Sequence, residues 1–445
     1  MSSKNVIVIN VVGLSPRHLE KPDIIPNISG LAKDGISFSI QPPVPAVTST
    51  VQATFTTGCH PGEHGIVGNG FFDRERYKVS FWDQENSLVQ RPRLWDVLKR
   101  RHPDFTTAVL FWQHILFANA DMVVTPKPLH TDKGLVPWCY SKPVGFYEDV
   151  CREIGPFDLR TYWGPMASLP SSKWIAGCAV YTLKKFSPTL TMIYLPHLDY
   201  GSQKYGIDNE TETYEIRAVD SLIGEILRGA ENLPRRENMD VVLLSEYSLL
   251  NVNGGIALNR ILRKEKLLGI REIGEKEYID FEMSNAFAVV DHQIAHIYTK
   301  EGFQETARDL LAGVEGVETV WGKKEKGEYS LDHERSGDLV VIAEKNRWFS
   351  YYWWEDSEKA PGFAKTVDIH NKPGYDPLEL FFDPATRSIS QDMNLIKGSH
   401  GTPYLNKNER AILILNGRNM RNRIKGEITD ATKVFDVITS FYDRK

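Results

Sequence analysis

PPVPAVTSTVQATFTTGCHPGEHGIVGNGFFD, Pro42 to Asp73, decides how the rest of the chain is read, and its centre is Thr48. Pro43 and Pro45 hold the incoming chain extended, and Thr48, Ser49 and Thr50 offer hydroxyls where a helix begins. A helix start directs unpaired backbone N–H groups and a positive dipole end toward whatever the first hydroxyl faces, which suits an anion. Gly58 closes the helix, and Pro61-Gly62 and Gly65 forbid its continuation. So many threonines and valines in one short helix imply a buried, packed position, because helix propensity would not select them.

Outward from this stretch, nearly continuous apolar runs read as central strands of a parallel sheet covered on both faces: Val6 to Leu14, Thr107 to Phe111, Thr189 to Leu195 and Met239 to Leu244. Helical patterns at Pro26 to Asp34, Trp95 to Arg101, Trp174 to Lys185 and Thr213 to Glu231 alternate with them, which predicts an α/β fold with its site at the carboxyl ends of the strands. Two later strands are expected at Ala286 to Tyr298 and Asp338 to Ala343, and a last one at Ala411 to Leu415. The Pro- and aromatic-rich segment 119–170 and the segment 269–383 interrupt the rhythm and are expected to form cap or insert pieces of one domain spanning 1–445.

Composition bounds the class. With 445 residues, 41% of them hydrophobic, the chain can bury a large core, and a net charge of -5 gives no general attraction to nucleic acid or anionic lipid. Cys59, Cys139, Cys151 and Cys178 lack metal-type spacing or a disulfide framework, so a reduced, cytoplasmic setting is expected. The first apolar run is too short to span a bilayer and lacks the flanks of an export signal. The aromatic cluster Trp348 to Trp354 (WFSYYWW) reads as a wall of core or cap.

Candidate chemistry sits just past the strands. Asp199 follows TLTMIYLPHL, Glu246 follows MDVVLLS, Asp291 and His292 follow AFAVV, and His400 lies in GSHG before the last strand. Carboxylates and imidazoles at strand ends can meet though distant in sequence, and such a mixed O/N set suits zinc, manganese or iron(II). For each residue alone, a turn former or satisfied core residue is the competing reading.

The order of VIVINVVGL, P-x-V-T, T-T-G and P-x-x-H-G-I-V-x-N resembles the alkaline phosphatase superfamily, specifically its type I phosphodiesterase/nucleotide pyrophosphatase branch, from Val6 to about Asp443. The resemblance implies an alkaline-phosphatase-like fold, a threonine nucleophile at Thr48 and one or two divalent metals, zinc before manganese or iron. It implies metal ligands at Asp199, Glu246 and His400, with Gln203 and Tyr247 standing where the pattern has histidines and Val12 where it has an aspartate. His292, from DHQIAH, or His370 is the candidate to replace a missing imidazole. Asn10, Gln52 and His370, the last from DIHNKPGYDP, are candidates for substrate binding. His64 is expected to support the turn behind the nucleophile helix. The expected activity is hydrolysis of a small-molecule phosphodiester, pyrophosphate or phosphomonoester. The departures at Val12, Gln203 and Tyr247 leave two alternatives: a non-catalytic binding protein on the same fold, or a metal-poor enzyme using Tyr247 and His292 as acid–base groups. No nucleic-acid or membrane partner is expected, and the oligomeric state is open.

Overall fold

The computed structural model describes residues 5–132, 134–231, 239–418, 424 and 426–442. Its centre is an eight-stranded sheet in the order Ile36–Ile40, Ala411–Asn416, Met239–Leu244, Asn5–Val11, Leu190–Leu195, Thr107–Leu110, Met122–Pro126, Cys139–Lys142. The five strands from Met239–Leu244 to Met122–Pro126 run parallel, and antiparallel strands flank them. Every residue of Asn5–Val11 and Leu190–Leu195 is buried, which is why these strands read as continuous apolar runs and not as alternating ones. The mostly parallel α/β sheet expected from the sequence is therefore present.

The first strand ends earlier than its apolar run. Pairing stops at Val11, and Gly13 turns the chain with φ +76, so Val12 to Leu14 form a buried turn. Register sets the level of the site: Asn10 lies opposite Tyr194 on one side and Leu244 on the other. Asp199 and Glu246 follow within a few residues of those partners, so both emerge at one edge.

The segment 269–383 contains a second, four-stranded antiparallel sheet in the order Ala286–Asp291, Ile294–Thr299, Leu339–Ala343, Val317–Trp321. The single strand expected over Ala286 to Tyr298 is thus a hairpin, turning at His292 with φ +60. His292 occupies the turn and His296 a strand. A separate apolar cluster packs beneath this sheet, and Trp348 to Trp354 belong to it, all buried. The segment 119–170 gives two strands to the far edge of the main sheet, Met122–Pro126 and Cys139–Lys142. Among the described residues, no helix is long and apolar enough to cross a membrane.

Candidate active site

Thr48 is the first residue of the helix Thr48–Thr57, after Val47 in extended conformation, and Gly58 ends the helix in the left-handed region with φ +69. The whole helix is buried, which accounts for its threonines: Thr56 and Thr57 return their hydroxyls to backbone carbonyls at 2.7 Å. His64 sits behind it with Nε2 3.0 Å from Thr54 Oγ1, and its Nδ1 accepts from the Ile66 amide. Asn69 accepts from the Ser49 amide and donates to Asp291, which also accepts from the Asn69 amide. Asp291 is therefore a brace between the hairpin and the nucleophile helix. His296 ties the same hairpin to the segment beyond that helix, bonded at Nε2 to the Val67 carbonyl.

The Thr48 hydroxyl lies 3.0 Å from Tyr247 Oη, and that phenol donates to Asp199 Oδ1 at 3.4 Å. Asp199 sits in the first turn of the helix His197–Tyr205, and Gln203, one turn on, donates to Asp199 Oδ2 at 2.6 Å. Tyr375 in turn donates to Gln203 Oε1 at 2.9 Å. Gly398 lets the GSHG strand reach this helix, because a Cβ there would stand 2.1 Å from the Ser202 carbonyl oxygen. Two residues on, His400 bonds through Nδ1 to the Ala46 carbonyl at 2.7 Å. Nδ1 must carry the proton, which leaves Nε2 as a bare lone pair, 3.9 Å from Asp199 Oδ1.

Four rings stack through the site. Tyr247 and His400 lie at 3.5 Å and 10°, His400 and His292 at 3.6 Å and 36°, and His292 and Tyr375 at 3.8 Å and 25°. Burial holds both imidazoles neutral, His400 down to about 3 and His292 well below its ordinary value. It also pushes both phenols up, so Tyr247 and Tyr375 keep their protons. Burial raises Asp199 to about 7, against the opposing bonds from Gln203 and Tyr247.

Glu246 belongs to a different environment. It is fully buried, and its Oε1 accepts from Asn10 at 2.6 Å and from Gln52 at 2.5 Å. Gln52 is fixed from its other end by the Gln113 amide at 2.6 Å. Burial raises Glu246 to about 8, although the bonds from Gln52, Asn10 and Thr48 oppose the shift. Asn10 and Gln52, expected to bind substrate, instead have their amide donors on Glu246 and do not line the cavity.

That cavity, about 420 Å³, opens over Thr48, Asp199, Tyr247 and His292. Its walls are aromatic: Trp82, Phe111, Tyr162, Trp163, Tyr194, Tyr200 and Tyr375. His370 lines it from the DIHNKPGYDP loop, with Nδ1 3.0 Å from the Phe81 carbonyl. No lysine or arginine is among the described lining residues. The sequence reading overlooked Tyr375, although it sits at the centre of the KPGYDP turn singled out for its polar residues. Of the aromatic walls it marked only the Pro- and aromatic-rich segment 119–170, which supplies Tyr162 and Trp163; no spacing rule picks out the rest.

A divalent ion needs three or more donors converging on one point. Among the described residues, no group of three or more His, Cys, Asp or Glu side chains could hold one. Asp199 and the His400 lone pair form a single pair of donors. Gln203 and Tyr247 are engaged with Asp199, Glu246 is enclosed by amides, and Val12 has no donor atom. The residues expected to ligate metal thus meet as a hydrogen-bonded and stacked array, and the donor set does not fit a two-ion centre.

The comparisons with known proteins agree with the architecture. Residues 6–376 match the family model described as type I phosphodiesterase / nucleotide pyrophosphatase. An uncharacterized pyrophosphatase/phosphodiesterase of Schizosaccharomyces pombe is 23% identical over 279 residues, covering 61% of this chain and 49% of that protein, so the chain spans about half the length of this curated relative. Murine ectonucleotide pyrophosphatase/phosphodiesterase 5 superposes with a TM-score of 0.61 at 16% identity, covering 98% of this chain and 94% of the other. An inactive threonine-to-alanine form of it, in complex with AMP, gives 0.62 at 16% identity, with the same coverage. Phosphonoacetate hydrolase from Sinorhizobium meliloti, in complex with phosphonoformate, gives 0.64 at 14% identity, covering 99% and 96%. The structural likenesses establish an alkaline-phosphatase-like fold, and the match over 6–376 establishes that the chain belongs to the type I phosphodiesterase / nucleotide pyrophosphatase family.

Proposed function

We propose that the chain hydrolyses a phosphodiester, pyrophosphate or phosphomonoester of a small molecule, with the Thr48 hydroxyl as nucleophile. The observation that carries this reading is the line from Thr48 Oγ1 through Tyr247 Oη to Asp199 Oδ1 at the floor of the cavity. A threonine hydroxyl is a weak nucleophile and needs a base. Asp199, raised to about 7, is ionised in large part just above neutrality while remaining basic enough to take a proton. As Oγ1 bonds to phosphorus, its proton passes to Tyr247 Oη and the phenolic proton passes to Asp199. The bond to the leaving oxygen breaks with its electron pair on that oxygen. Attack by water on the Thr48 ester then releases Oγ1, which recovers its proton from Asp199 through Tyr247, while the attacking water leaves one proton on the phosphate and gives the other to solvent. The start of the Thr48 helix presents partial positive charge to the phosphoryl oxygens. The murine relative inactivated by a threonine-to-alanine substitution supports a threonine in this role.

The disagreement at Val12, Gln203 and Tyr247 favours a second reading, a binding protein on the same fold without turnover. One panel separates the two: hydrolysis of bis(p-nitrophenyl) phosphate and ATP by the native chain and by Thr48→Ala, with AMP binding measured alongside. Turnover lost in Thr48→Ala supports the hydrolase, equal turnover in both removes Thr48 from the chemistry, and AMP binding with no turnover in either supports the second reading.

A further inference from the structure

The KPGYDP turn holds a second polar cluster with no part in the proton line above. Lys372, Asp376 and Glu379 have side chains at most 3% exposed. Lys372 Nζ donates to Asp376 Oδ2 at 2.7 Å, to Glu379 Oε1 at 2.6 Å and to the Thr366 carbonyl at 2.9 Å. A buried ionic cluster of this kind is seldom the most stable filling of its space, since apolar residues of similar volume often do as well. Its contacts suggest what it is for.

Glu379 reaches two separate pieces of the cavity wall. Its Oε1 accepts from the Asp368 amide at 2.8 Å, fixing the loop that presents Val367 to Asn371, and its Oε2 accepts from Trp163 Nε1. The two pieces also abut: a Cβ on Gly164 would stand 3.2 Å from Val367 Cγ2. Trp163 and the 366–371 loop come from segments some two hundred residues apart in sequence, and one carboxylate joins them.

We infer that Glu379, held in place by Lys372, is the positioning residue that clasps these two wall pieces together and so sets how tightly the cavity grips its substrate. The part of this inference that concerns substrate rests on the hydrolase reading above; the clasp itself does not. Hydrogen–deuterium exchange on the full chain tests the clasp without any substrate. Glu379→Gln and Lys372→Met raise exchange in peptides over 159–166 and 366–371 together, while a peptide over 190–195 stays protected. Trp163→Phe removes one N–H and keeps a ring, and it raises exchange in both wall peptides too. It decides the matter if the charge variants loosen the whole chain. Wall peptides that respond independently, or not at all, overturn the clasp.

With bis(p-nitrophenyl) phosphate, Glu379→Gln raises KM about tenfold, as expected for a lost charge-assisted bond, with kcat within about threefold. A fall in kcat at unchanged KM, or no change in either, shows that the clasp does not govern binding. A native chain that shows coupled exchange but no turnover removes the hydrolase reading and leaves the clasp standing.

Discussion

Glu246 and Asp199 are both carboxylates placed just past the two strands that flank Asn5–Val11 in one sheet, and the fold gives them different surroundings. Glu246 is sealed under two amides, takes a bond from Thr48, and does not itself line the cavity. Asp199 lines the cavity, takes one bond from a glutamine and one from a phenol, and faces the lone pair of a stacked histidine. Burial raises both carboxylates, to about 8 and about 7. A shifted carboxyl is therefore not in itself a sign of function: access distinguishes Asp199, which lines the cavity, from Glu246, which holds strand ends together beneath it.

The sharpest way to break the comparison is on the open side. Thr48→Ala is expected to lower kcat by on the order of 10⁴-fold, as removal of a nucleophile does in other hydrolases, with a circular dichroism spectrum unchanged. Asp199→Asn removes the base and should lower kcat by about 10²-fold or more. The native rate of chemistry should rise with pH through about 7, because the carboxylate must be ionised to accept the proton, and the Asn variant should lose that limb. A native profile that falls across the same range would exclude Asp199 as the base. Tyr247→Phe keeps the ring on His400 and removes the bridging hydroxyl, with an expected loss of roughly tenfold. Dialysis against a chelator should leave this turnover in place, since among the described residues no three His, Cys, Asp or Glu side chains converge to hold even one ion. Elemental analysis before and after dialysis, set beside the rate, checks it.

The two sides also differ in how far the sequence revealed them. Strand runs such as TLTMIYL and MDVVLL announce themselves because both faces are buried, and Gly58 marks the helix end because its φ is +69. Asp199, Glu246 and His400 were legible as strand-end residues for the same reason. Their partners were not, because hydrogen bonds between side chains far apart in sequence follow no period. Asn10 and Gln52 looked available for substrate, and only the fold shows both donating to one carboxylate oxygen. The turn at His292 was hidden because AFAVVDHQIAHIY alternates well enough to pass for one strand. The tight turn reverses the chain there and brings the ring onto His400.

The smallest expected effect on activity comes from the sealed side. Glu246→Gln keeps the shape and an acceptor for Asn10, Gln52 and Thr48, so kcat should stay within about threefold of native. Stability is where Glu246 should register. A carboxyl raised in the folded state favours its protonated form there, so its contribution is fully present below the ordinary carboxylate range and is lost as pH rises through about 8. The native thermal midpoint should therefore fall between pH 5 and pH 9, and the Gln variant, which cannot ionise, should fall less. Asp199 contributes in the same direction up to about 7, so the difference between native and variant isolates Glu246. Parallel melting curves across that range would mean that the amides of Asn10 and Gln52 hold Glu246 as a carboxylate, and that the sealed side is not the neutral cluster its burial implies.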